Sequence, residues 1–175
     1  MTRLKRAIYV VIALSILVIA DHATKIVAIR GLRDTGRVYS FLGDTIKLLY
    51  AENTGAFLSL GAGLPPGVRT LLLTGLNALI LLGVLAYLFV AKRVPVITAC
   101  ALTLIAGGGI GNLIDRVFRD GRVVDFMNIG VSIGDFSIRT GIFNIADVAI
   151  MAGLFLIIIH ELPWFQKEAY PESQK

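Results

Sequence analysis

Residues 70–114 read TLLLTGLNALILLGVLAYLFVAKRVPVITACALTLIAGGGIGNLI, with Lys92-Arg93 as the only charges. Each half approaches the roughly 20 apolar residues that an α-helix needs to cross a bilayer. Two residues separate the halves, so Thr70–Ala91 and Val94–Ile114 must fold as antiparallel neighbours. Two further stretches match them, Ala7–Ile29 and Ile142–Leu162. The earlier one carries Asp21, His22 and Lys25 in its second half, and the later one carries Asn144 and Asp147 near its start. The chain therefore reads as four membrane spans.

Composition agrees. Of 175 residues, 56% are apolar and 17% charged, with a mean hydropathy of +0.79. Soluble domains run near one-quarter charged, which excludes a soluble globule, a disordered chain or a nucleic-acid module. The net charge of +5 comes from basic residues scattered between apolar runs, where they flank spans. Cys100 is the one cysteine. It makes no intrachain disulfide, contributes to no Cys-rich metal site and reads as inert packing. Arg3, Lys5 and Arg6 before a short apolar run resemble a signal peptide, but no small-x-small cleavage site follows, so the segment reads as a retained span. Orientation is undecided by charge. With the N-terminus inside, seven of the 17 basic residues lie on the inner side and ten towards the outside.

With an even number of spans, the segments 30–69 and 115–141 fall on one side. In the first, Arg37–Phe41 and Thr45–Tyr50 have strand composition around a turn-like Leu42-Gly43-Asp44. Ala56–Leu64 is apolar and too short to span, and reads as a helix along the membrane surface. In the second, Arg122–Met127 and Val131–Ile138 read as strands. Strands from the two segments can pair into a small sheet at the membrane face. The tail after Pro163 reads as a short polar end.

Ionisable groups within or beside spans are expensive and mark candidate sites. Asp125 and Asp147 lie 22 positions apart, on a strand and near the start of the last span. A loop of that length can bring both carboxylates to one membrane face. There they would share a proton, one as general base and one as general acid. Such a pair can activate water against a peptide carbonyl and protonate the leaving amine. Spacing alone equally fits a solvated Asp125 and an Asp147 paired with Arg116 or Arg139. Asn112 and Arg116 are four apart, on one helix face, and can present a donor and a positive charge to a carbonyl or headgroup. The glycines of Gly107–Gly111 allow close helix approach. Asp21 and Lys25, also four apart, read as a self-compensating pair. Asn53-Thr54-Gly55 begins as a turn. Gly130-Val-Ser-Ile-Gly134 fits a short serine-nucleophile pattern without its strand-to-helix context, and His160-Glu161 lacks the second histidine of a zinc-protease helix.

Five blocks occur in order around the spans: Asp21-His-Ala-Thr-Lys25, Asn53-Thr-Gly-Ala56, Gly111-Asn-Leu-Ile-Asp-Arg116, Val123-Val-Asp-Phe126 and Phe143-Asn-Ile-Ala-Asp147. Together they resemble bacterial lipoprotein signal peptidase, or signal peptidase II, over nearly the whole chain. The resemblance implies a mainly α membrane protein. It would be a single integral domain over 1–175, with four transmembrane helices, a small extracytoplasmic β-sheet and a surface amphipathic helix. Asp125 and Asp147 would be the catalytic dyad of an intramembrane aspartyl endopeptidase. Asn53, Gly55, Asn112, Arg116 and Asn144 would line the substrate site, with Asp21, Lys25 and Asp115 as structural support. The implied substrate is a diacylglyceryl-modified prolipoprotein, cut before the lipidated cysteine. The work would be done by a monomer amid membrane lipid, without metal, cofactor or nucleic acid. The implied location is the bacterial cytoplasmic (inner) membrane, with the site at its outer face and both termini in the cytoplasm. Globomycin-type cyclic peptides would inhibit it. His22, Thr24, Phe57 and Val148 depart from the commonest family residues Gln, Ser, Ala and Ser. A proton-coupled transporter and a non-catalytic lipoprotein assembly factor are the alternatives from other classes.

Overall fold

The computed structural model of the chain describes residues 1–55, 63, 65, 67, 68, 71–133 and 136–162. The first helix, α1 (Arg3–Ala28), begins where the Thr2 hydroxyl accepts the Lys5 N–H, and it runs on through a π-helical turn, Ile29–Arg33. Strands β1 (Tyr39–Phe41) and β2 (Ile46–Asn53) follow. A π-helical turn, Leu71–Leu76, leads into α2 (Asn77–Val90), and α3 covers Val96–Phe118. Then come β3 (Val123–Ile133), β4 (Phe136–Arg139) and α4 (Ile145–Glu161). The segments Arg3–Arg33, Leu71–Val90 and Val96–Phe118 are long and apolar enough to cross a membrane. The fourth apolar helix, α4, has 17 residues, about 26 Å at 1.5 Å per residue, and packs along α3. The expected surface helix over Ala56–Leu64 lies outside the described residues, apart from Gly63, as does the tail from 163.

The turn at Lys92-Arg93 does make α2 and α3 neighbours. Val10 of α1, Leu88 of α2, Val94 in the connection and Ala99 of α3 form one buried cluster beside it. Arg6, itself buried, donates to the Ala91 carbonyl at the end of α2 (2.5 Å), where helix carbonyls lack partners. Outward, Ile8, Ile12, Ile16 and Ile19 on α1 and Met151, Phe155 and Ile158 on α4 are exposed. Apolar faces turned outward suit a lipid surround rather than water.

α3 is the hub. A Cβ at Gly107 would meet Leu17 of α1, one at Gly109 would meet Leu81 of α2, and one at Gly108 would sit on the Ala146 carbonyl oxygen of α4. Consecutive glycines thus admit three different helices to close range.

At the opposite end from Ala91 the four strands pair antiparallel in the order β1-β2-β3-β4. The two inter-span segments therefore join as expected, with Ile46 opposite Ile129 and Asn53 opposite Val123. Strand limits differ from the sequence reading: β1 begins at Tyr39 rather than Arg37, and the larger differences lie in β2 and β3. The segment 122–138 does not break near 128–130. β3 runs unbroken through Gly130, and the chain reverses between Ile133 and Phe136. Gly130 is a point of close approach, because a Cβ there would meet Arg139 Cγ at 2.6 Å and the Ile138 carbonyl at 2.8 Å. β2 also runs past Tyr50 to Asn53, with an extra residue bulged between Leu48 and Ala51. The turn Leu42-Gly43-Asp44 is as expected, all three residues at positive φ.

Gly108→Ala should lower thermal stability by about 1–3 kcal/mol, because the new methyl faces backbone that cannot swing away. Gly83→Ala, with nothing within 4 Å of its Cβ position, should be neutral or slightly stabilising through helix propensity. Melting of the two variants in detergent, followed by circular dichroism, checks the contrast.

Candidate active site

The local sequence at the start of α4 places the first carboxylate. Asn144 sits in extended conformation and its Oδ1 accepts the Asp147 N–H (3.0 Å), while Asp147 Oδ2 accepts the Asn144 N–H (3.2 Å). This reciprocal cap satisfies helix-end donors and locks Asp147 into the first turn. The preceding Phe143 fastens that turn to β3. Its carbonyl accepts from the amides of Phe126 (3.1 Å) and Met127 (2.8 Å), and its own amide donates to Met127 (2.8 Å). Asp125 on β3 is thereby brought beside Asn144, and the Asn144 side-chain amide donates to Asp125 Oδ1 (2.6 Å).

Asn53, just beyond the β2 bulge, donates to Asp125 Oδ2 (3.0 Å). Bulges commonly re-aim side chains beside sites. From α3, the Asn112 amide donates to Asp147 Oδ1 (2.9 Å). All four carboxylate oxygens of the two aspartates thus accept one N–H each. Arg116 donates to the Gly55 carbonyl (3.0 Å), and the Gly55 amide donates to Asn53 Oδ1 (2.9 Å). Gly55 therefore takes part through its backbone, tying the chain after β2 to α3.

A cavity of about 420 Å³ opens at this point. Asn53, Asn112, Arg116, Asp125 and Asp147 line its polar part, and Leu72, Leu76, Ile80, Met151 and Leu154 its apolar walls. Asn77 also lines it. Asn77, a polar interruption of its apolar span, is not among the site residues expected from sequence, although a lone amide there is itself a signal. The Asn-x-x-Asp capping pattern at 144–147 is likewise legible in the sequence.

Beneath the cavity lies a buried ion cluster. Lys25 Nζ is 2.7 Å from Asp21 Oδ2 and 2.9 Å from Asp115 Oδ2, with all three side chains at most 2% exposed. The expected two-residue pair is thus a triad. Lys25 also donates to Asn112 Oδ1 (3.2 Å), Asp21 Oδ1 accepts the Ala146 amide (3.0 Å) and Asp115 Oδ2 accepts the Val124 amide (3.1 Å).

The reading with a solvated Asp125 fails, since Asp125 is 2% exposed. Arg139 turns to Asn128 Oδ1 (2.5 Å) and the Asp44 carbonyl (2.8 Å) instead of Asp147. Burial, and then the negative charge of Asp147, push the Asp125 carboxyl up to about 6, against the opposing pull of Asn53, Asn144 and Lys25. A buried carboxyl, Asp125, and a half-buried one, Asp147, each oriented by amides, thus face one cavity. Among the described residues, no group of three or more His, Cys, Asp or Glu is arranged to hold a metal.

Comparison with known proteins places this arrangement. The family model described as "Signal peptidase (SPase) II" matches residues 12–163. The chain is 42% identical over 158 residues to the lipoprotein signal peptidase of Chlorobium phaeovibrioides, covering 87% of this chain and 86% of that one. It is 37% identical over 152 residues to the lipoprotein signal peptidase of Borrelia turicatae, covering 86% and 88%. A bacterial membrane enzyme solved by the in meso method at 1.9 Å superposes with a TM-score of 0.72 at 27% identity, over 89% of this chain and 93% of that one. A second, at 2.3 Å, shares the fold with a TM-score of 0.73 at 23% identity, over 95% and 93%.

The raised Asp125 value has a stability consequence. The folded protein keeps a proton on this group that the unfolded chain, at the ordinary 3.8, has lost. Its contribution is full below about pH 4, falls as pH rises through about 6, and is gone at pH 7. The melting temperature of Asp125→Asn should therefore fall less between pH 4.5 and 7 than that of the native chain. Parallel slopes in the two melting series would contradict this.

Proposed function

The chain belongs to the signal peptidase II family, and on that premise we propose how it acts. It is a membrane-embedded peptidase that removes signal peptides from prolipoproteins. In the proposed mechanism Asp125 and Asp147 share one proton between them. The ionised partner takes a proton from a water molecule, whose oxygen attacks the carbonyl carbon before the diacylglyceryl-cysteine. The protonated partner supplies its proton to the carbonyl oxygen. Collapse of the tetrahedral diol breaks the C–N bond, and a proton passes to the leaving cysteine amine. Water is consumed, a carboxyl and an amine are released, and the dyad returns to its one-proton state.

One observation carries this reading. Asn144 holds both carboxyls, Asp125 through its side-chain amide and Asp147 through the reciprocal cap. The two acids are thereby kept on one cavity in fixed orientation, as general acid–base catalysis requires. Asn53 and Asn112 orient the outer oxygens, and Arg116 and Gly55 shape the substrate channel. The apolar walls of α2 and α4 suit diacylglyceryl chains, so the dependence on lipidation follows from the same cavity. Cyclic peptides of the globomycin type would occupy it as mimics of the diol.

The site lies at the end of the bundle opposite Arg6 and Ala91. With both termini cytoplasmic, as the resemblance implies, the site faces the outer side of the bacterial inner membrane. The chain acts as a monomer in this reading.

A gel-shift cleavage assay in detergent or lipid, using a prolipoprotein with and without diacylglyceryl modification, provides the test. Only the lipidated form should be cut, and Asp125→Asn or Asp147→Asn should each lower kcat by about 10³-fold or more. Arg116→Ala should raise KM. Robust turnover by either aspartate variant would overturn the dyad.

A further inference from the structure

The mechanism leaves one strongly ionic feature unused, the buried triad of Lys25, Asp21 and Asp115. Its two acids do more than neutralise the lysine. Asp21 spends its second oxygen on the amide of Ala146, the residue directly before Asp147 (3.0 Å). Asp115 Oδ2 accepts the amide of Val124, the residue directly before Asp125 (3.1 Å), while its Oδ1 accepts from Arg119 one turn along α3 (3.0 Å). Each acid therefore grips the backbone one residue upstream of one member of the dyad. Lys25 stands between the acids (2.7 and 2.9 Å) and adds a third link, to Asn112 Oδ1 (3.2 Å). That link leaves the Asn112 amide N–H₂ facing Asp147 Oδ1 (2.9 Å).

We infer that Lys25, Asp21 and Asp115 act as a positioning unit that sets the spacing of the two aspartates, one acid serving each, with the lysine fixing the distance between the acids. The inference rests on the dyad assignment above. The two aspartates come from different elements, β3 and α4. Besides Asn144 and the Phe143 bridge, this triad is what refers both to a common point on α1 and α3. A side-chain oxygen on a backbone amide one residue away controls the position of the following Cα directly. Charge-assisted bonds of this kind are stronger than neutral ones, and displacement of a reacting group by about 1 Å can cost on the order of 10²-fold in rate. The two arms are separable: Asp21 governs Asp147 and Asp115 governs Asp125.

The experiment compares Asp21→Ala, Asp21→Asn, Asp115→Ala and Asp115→Asn in the full-length protein in detergent, by two readouts. The first is hydrogen exchange followed by mass spectrometry on peptides covering 123–126 and 144–148, which does not depend on activity. Asp21→Ala should speed exchange in 144–148 and leave 123–126 near the native rate, and Asp115→Ala should do the reverse. The second is cleavage of a diacylglyceryl-modified prolipoprotein beside native protein and Asp147→Asn. Each alanine variant should lower kcat about 10- to 100-fold with KM within about threefold. Each asparagine variant, which keeps an oxygen for the amide, should recover at least about half of the lost log rate. Equal acceleration of exchange in both segments by either alanine variant, a rise in KM with kcat unchanged, or asparagine variants no better than alanine would each overturn the positioning unit. If native protein fails to cleave while the exchange pattern holds, the enzymatic reading falls and the mechanical one stands.

Discussion

An ammonium group taken out of water at a membrane face survives only where opposite charge replaces its hydration. Lys25 meets that condition with two carboxylates at hydrogen-bond distance, all three side chains at most 2% exposed. Breaking such a cluster by removing one member leaves an uncompensated charge and costs roughly 3–5 kcal/mol. Meeting of α1 with α3 completes the ion cluster, and each acid's backbone bond then adds one further element, α4 by Asp21 and β3 by Asp115. Four elements thereby converge. Asp125 and Asp147, the proposed dyad, lie directly after the two backbone amides that this cluster accepts.

Convergence also needs room. α3 supplies it by omitting side chains at Gly107, Gly108, Gly109 and Gly111, where added methyls would meet Leu17, Ala146, Leu81 and Asp21 in turn. Lipid offers helices no hydrophobic drive to associate, so close packing must hold them. The cavity is left where this packing ends, between the π-helical entry to α2 and the face of α4. Its polar part is the shared end of sheet and bundle, and its apolar part opens along the helices. A polar end with apolar walls suits the proposed substrate, half peptide and half lipid.

Much of this was legible in residue order. Apolar length and the two-residue connection at Lys92-Arg93 announced the antiparallel pair, and period-two composition announced strands on both sides of it. Asp125 and Asp147 stood out as acids where acids are costly. Other features lie between distant residues. Gly130 fell between the two expected strands, and nothing local reveals that Arg139 and Ile138 press on it. Asp115 pairs with Arg119 one turn along its own helix, but its further partners Lys25 and Val124 belong to other elements. Asn144 read as an amide near the start of the last span, and its bond to Asp125 needs the Phe143 bridge that lays β3 alongside.

The sequence by itself determined the medium, the number of apolar segments, the pairing of the two loops and the residue types available for acid–base work. These follow from composition and periodicity, which are local and additive along the chain. Only the tertiary structure decided that the four oxygens of Asp125 and Asp147 each receive one amide, that Asp125 is buried rather than solvated, and that Lys25 balances two acids rather than one. Burial and hydrogen-bond partnership depend on which remote elements occupy the same volume. Close packing of α3 against three helices, with the sheet seated on their end, settles that volume.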